Sequence, residues 1–139
     1  MTSKVIYQGD LRTEATHLQS GTIIETDAPV DNQGKGERFS PTDLVATALA
    51  SCMLTLMGIA ARTHNIEMDG TECEVEKIMV PNPRRIGGVN VKVTLPGTGK
   101  YTEKEMKILE HAALTCPVYL SLHPDCQKEV TFDWPETVS

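Results

Sequence analysis

The chain has 139 residues, a formal net charge of -6 and a pI near 5.2, enough length for one domain with a real core. The acidic balance and the lack of a basic cluster argue against a nucleic-acid partner, and 4% aromatic content leaves little for a base-stacking surface. The N-terminus MTSKVIYQGD holds no apolar stretch of signal-peptide length. A cytoplasmic protein is expected, in which the four cysteines are reduced, metal-bound or redox-active rather than a disulfide framework.

Residues 4 to 26 read as a strand meander. Val5 to Tyr7, Leu11 to Leu18 and Thr22 to Thr26 are β-branched or alternating, Gln19-Ser20-Gly21 supplies a turn, and Arg12 lies in the second strand. Residues 27 to 39, DAPVDNQGKGERF, form a long loop of Pro, Gly, Asn and Asp, and loops of this length tend to carry function.

The loop leads into SPTDLVATALASCMLTLMGIAA, Ser40 to Ala61. Ser40 suits an N-cap, Pro41 the first helical position, and Asp43 completes a near capping box. No charge occurs from Leu44 to Ala61, and a helix apolar on every side is expected to be buried on every side. The run spans ~27 Å at about 1.5 Å per residue, barely a membrane's width, and it is rich in Ala, Thr, Ser and Gly, so a membrane span is rejected. The helix should end near Thr63 with Asn65 left-handed, and Gly58 suggests close packing against another backbone.

Cys73 to Val80, CEVEKIMV, alternates as a strand. Pro81 to Gly88 forms a long hairpin tip holding Arg84 and Arg85, Val89 to Leu95 returns, and Pro96-Gly97-Thr98-Gly99 ends it. Thr102 and Glu105 make a capping box for a second helix, with Met106, Leu109, Ala113 and Cys116 on one face. Pro117 breaks that helix, so Cys116 caps a short one over Pro117 to Leu122, and Val130 to Trp134 is the last strand. The order βββ–α–ββ–α–β defines an α+β domain over residues 1–139, with antiparallel sheets and two long helices.

Two thiols stand out. Cys116 at a helix start should be the more acidic, because exposed N–H groups favour its thiolate. Cys52 sits in mid-helix among apolar groups and needs a cation such as Arg12 or Arg38 to ionise. As a bland alternative, a buried cysteine is a small hydrophobe. Cys73, between Glu72 and Glu74, reads as a core residue with a disfavoured thiolate, and Cys126 as structural. His111, Cys116, His123 and Cys126 match no standard zinc spacing, so no metal is expected, and no phosphate-binding glycine motif or Ser-His-Asp signature occurs.

SPTDLVATALASCM, then LTCPVYLSLHP and VTFDW, resemble the osmotically inducible protein C / organic hydroperoxide resistance (OsmC/Ohr) family over nearly the whole chain. The resemblance implies an OsmC-like fold whose central helix packs in an intertwined homodimer, and a thiol peroxidase without cofactor. It puts the peroxidatic role on Cys52, the resolving role on Cys116 and the activating cation on Arg12, with Arg38 second. It also implies a hydroperoxide substrate and a dithiol reductant of lipoyl type.

One position departs from the family. A glutamate that orients the arginine follows the helix-starting proline in the hydroperoxide-resistance enzymes, whereas this chain has Thr42, with Glu37 as a substitute from the loop. The departure supports an alternative: a non-catalytic dimer that senses redox state or binds a hydrophobic ligand.

Overall fold

The structure is a computed structural model and describes residues 1–97 and 100–135. Thr98 and Gly99, assigned above to a strand-ending turn, lie outside the described residues. The chain divides into two compact units, Met1–Val45 and Ala46–Ser139.

The first unit is an antiparallel sheet of β1 (Ser3–Gly9), β2 (Arg12–His17) and β3 (Ile23–Asp27). Its register aligns Val5 with Ala15 and Ala15 with Ile24, so the expected meander is present. The loop after β3 contains a short 3-10 turn, Val30–Asn32. Among the described residues, no apolar side chain of this unit is buried; its buried residues are Thr26, Asp27 and Ser40.

The long helix α1 (Pro41–Thr63) opens in the first unit and continues into the second. Its capping box forms with aspartate in the usual Glu position: Asp43 N–H donates to Ser40 Oγ at 3.0 Å, and Ser40 N–H to Asp43 Oδ2 at 3.0 Å. The helix ends at Thr63, followed by Asn65 at φ 54°.

Burial on every side is not what α1 shows. The buried residues form one stripe, Ala46, Leu49, Ala50, Met53, Met57 and Ala61, at the three- and four-residue spacings of a single helix face. The opposite face is apolar too but open, with Ile59 57% exposed. Gly58 is also corrected: a Cβ there would meet nothing within 4 Å, so no neighbouring backbone requires glycine.

In the second unit β4 (Glu72–Val80) and β5 (Arg85–Thr94) form an antiparallel hairpin. Its tip is shorter than the sequence suggested, because Arg85 already opens β5 and donates from Nη1 to the carbonyls of Pro81 and Pro83 at 3.1 and 2.9 Å. β5 alternates: Val89, Val91 and Val93 are buried, and Lys92 is exposed.

Then α2 (Glu103–Leu114), α3 (Pro117–Ser121) and β6 (Gln127–Asp133) follow. The full Thr102–Glu105 capping box starts α2, as the sequence indicated. β6 lies beside β5 in parallel register, Val91 against Val130, so the all-antiparallel expectation fails in this sheet. The cause is the helical crossover, which returns the chain to the sheet in its original direction as a hairpin cannot.

The α1 stripe, the β5 valines, Tyr101, Leu109, Ala113, Cys116 and Cys126 form one core cluster. Membership of that cluster ties α1 to a protein interior, although by length and composition alone it could cross a membrane.

Leu49→Ala removes a side chain with no solvent exposure. Urea unfolding should show it less stable by about 2–5 kcal/mol. Thr102→Ala, which removes only the cap, should cost about 1 kcal/mol in the same measurement.

Candidate active site

Arg12 on β2 stands directly across from Asp27 at the end of β3. Its Nε donates to Asp27 Oδ1 at 2.7 Å and its Nη2 to Oδ2 at 2.8 Å, a two-pronged charge-assisted pair. Nη2 also donates to Glu37 Oε1 at 3.1 Å. The Asp27 side chain is 1% exposed and that of Arg12 20%.

The loop wraps this pair through its own backbone. Asp27 N–H donates to Phe39 O, Glu37 N–H to Asp27 Oδ2, and Gly34 N–H to Pro29 O. At Gly34 a Cβ would collide with the Ala28 carbonyl, so only glycine permits this path. Hydrogen bonding from Arg12, above all, pulls the Asp27 carboxyl down to about 2, and the same pair raises the Arg12 guanidinium further.

The first unit thus gathers Arg12, Asp27 and Glu37. Glu37 reaches the arginine as the sequence allowed. Asp27 went unrecognised because it reads as the first residue of a loop; the available signal was an acidic residue at the end of a strand that faces Arg12 in register. Thr42 sits within hydrogen-bonding distance of Ser40, hydroxyl to hydroxyl, at 3.2 Å. Arg38, the second candidate, donates to Glu25 Oε1 at 3.2 Å and to the Glu37 carbonyl at 3.2 Å.

The second unit holds the two thiols. Cys52 is half-buried at mid-α1, and Cys116 is fully buried at the N-cap of α3. Cys52 lies near enough to Cys116 to act on its thiol, and both belong to or pack against the same core. Cys116 Sγ also accepts the Tyr119 N–H at 3.4 Å.

That N–H favours the Cys116 thiolate, as expected of a helix start, but burial is the larger effect and pushes the thiol up, and the hydrogen bond to Cys52 adds to it. An acidic Cys116 is therefore not what the structure shows: the short α3 offers little field against complete burial. Cys73 is raised by its burial, rather than by the flanking glutamates. Cys126 is buried, and His111 is exposed on α2. Among the described residues no group of His, Cys, Asp or Glu converges as a metal site.

A mixed α+β fold with two neighbouring thiols, one in the centre of an apolar helix and one before a Cys-Pro helix start, defines a class of small two-thiol proteins. The family model for OsmC-like proteins matches residues 34–131. A crystal structure of a candidate osmotic stress induced and detoxification response protein from Psychrobacter arcticus is 56% identical, with 95% of each chain covered and a TM-score of 0.90. An organic hydroperoxide resistance protein OsmC from Legionella pneumophila shares the fold at 15% identity, with 96% of this chain and 97% of that one covered and a TM-score of 0.75. OhrB, the organic hydroperoxide resistance protein of Bacillus subtilis, does so at 20% identity, with 96% and 98% covered and a TM-score of 0.67. No curated protein matches the sequence. The chain belongs to the OsmC/Ohr family.

The depressed Asp27 carboxyl stays ionised when the unfolded chain begins to take up protons near the ordinary value of 3.8. Its pairing with Arg12 therefore stabilises the fold fully above about pH 5 and is lost as pH falls towards 2. Asp27→Asn should lower the urea midpoint at pH 7 and flatten the acid side of the stability–pH curve over that range.

Proposed function

We propose that the protein is a thiol peroxidase that reduces organic hydroperoxides, working as a single-domain subunit of a homodimer in a reducing compartment such as the cytoplasm. The observation that carries the reading is the nearness of Cys52 and Cys116, thiols far apart in sequence that meet at one core. Cys116 holds its proton and can donate it towards the other sulfur, which leaves Cys52 as the nucleophile. Arg12, held by Asp27 and Glu37, is the proposed activating cation.

In the first step the Cys52 thiolate attacks the distal peroxide oxygen. An S–O bond forms, the O–O bond breaks, and the leaving alkoxide takes a proton to become an alcohol. Cys116 then attacks the sulfenic sulfur; an S–S bond forms and water leaves. A dithiol reductant of lipoyl type supplies two electrons and two protons to restore both thiols, and becomes a disulfide itself.

Thr42 counts less against catalysis than the sequence implied. The arginine already has two carboxylate partners, one fully buried, without a glutamate at that position. The homodimer is supported by the open apolar surfaces: Val5 and Tyr7 of the first sheet are 61% and 64% exposed, and a three-stranded sheet with no buried apolar face of its own calls for a covering surface.

Wild-type protein should consume cumene hydroperoxide with a dithiol donor. Cys52→Ser should fall to the uncatalysed rate, and Cys116→Ser should reduce one peroxide per subunit and then stall as the sulfenic acid. Wild type that turns over no hydroperoxide while both thiols are reduced would refute the reading. Sedimentation should give twice the 15.2 kDa chain mass, and Tyr7→Asp should shift it towards one chain.

A further inference from the structure

Lys128 lies at the start of β6, opposite Val89, which has no solvent exposure. It alternates with exposed Gln127 and Glu129 and shares its side of the strand with Val130 and Phe132, both packed against the core. A lysine directed to the covered face of a sheet must find partners for its ammonium. Among the described residues no carboxylate pairs with it. Its Nζ instead donates to Cys126 O at 2.8 Å and to His123 O at 3.5 Å, and lies 5.4 Å from the centre of the Tyr119 ring.

All three partners belong to the segment that starts at Cys116. Tyr119 N–H donates to Cys116 Sγ, and Leu120 N–H to the Cys116 carbonyl at 3.1 Å. Lys128 thus holds the ring of the residue whose backbone holds the sulfur, and also fastens the far end of the segment at residues 123 and 126. The fastening is needed because α3 has only five residues. Helices shorter than about 12 residues are marginal on their own, so contacts outside α3 must keep Cys116 in place.

We infer that Lys128 is a positioning residue for the thiol pair: through Tyr119 it clamps α3 so that Cys116 Sγ stays within reach of Cys52. The inference rests on the reading of Cys52 and Cys116 as a redox pair, but not on which oxidant they meet. Disulfide formation brings two neighbouring sulfurs to about 2.05 Å. Any added freedom of the Cys116 segment dilutes that thiol around Cys52 and lowers its effective concentration. Peroxide attack at Cys52 uses none of these contacts and is unaffected by the clamp.

The test compares wild type, Lys128→Met and Lys128→Arg, each checked for folding by thermal melting of the reduced protein. The first readout is equilibrium with glutathione, in which the two thiols and glutathione disulfide give the Cys52–Cys116 disulfide and two reduced glutathiones. Lys128→Met, which keeps an unbranched apolar stem without the ammonium, should lower this equilibrium constant at least tenfold, a shift of about 30 mV. The second readout is disulfide closure after one equivalent of cumene hydroperoxide. Closure should slow at least tenfold, with more Cys52 trapped by dimedone and an unchanged rate of sulfenic acid formation. Lys128→Arg, which can still donate to carbonyls and stack on Tyr119, should restore both.

An unchanged glutathione equilibrium in folded Lys128→Met would overturn the clamp, as would an arginine variant no better than the methionine one. Should Lys128→Met fail to fold, Tyr119→Leu removes the ring but keeps the N–H, and wild-type redox behaviour in that variant would overturn it equally. The glutathione measurement needs no peroxide, so wild type that consumes no hydroperoxide would end the peroxidase reading while leaving the clamp to be decided by its own equilibrium.

Discussion

The rotation of α1 about its axis is fixed by Leu49, Met53 and Met57, none of which keeps any solvent exposure. Cys52 immediately precedes Met53, about 100° around the helix. That places its sulfur at the margin of the buried stripe, half-covered and beside the core, where Cys116 is also buried. A turn of the helix that carried Cys52 into solvent would strip three core side chains from their contacts, so packing itself holds the thiols together.

The arginine network obeys a different constraint. Asp27 is almost wholly buried, and a carboxylate there persists only because Arg12 meets both oxygens and the Glu37 N–H adds a further bond. The loop is consequently a built structure, closed by backbone hydrogen bonds over a charged pair. The carboxylates that meet Arg12 come from a strand end and from the loop.

The two thiols also differ in environment: Cys52 is half-buried and Cys116 fully buried. Complete burial outweighs the donors at the start of α3 and pushes the Cys116 thiol up. Its placement depends on contacts from β6, the one strand in its sheet that enters in parallel.

Local chemistry made much of this legible from the residues alone. Apolar spacing, proline and capping residues marked α1, the capping box marked α2, and Pro117 marked the break at Cys116, because each acts within a few residues of chain. The same letters could not give the direction of β6, since alternation reads alike in parallel and antiparallel strands. Nor could they show that α1 buries one stripe, because an apolar side chain does not record what covers it. Asp27 was invisible for the same reason: its role depends on register with a residue fifteen positions earlier. Element types were thus determined by sequence, whereas strand direction, the Arg12–Asp27 pair and the raised Cys116 thiol were decided by tertiary structure, where burial and long-range pairing set the energies.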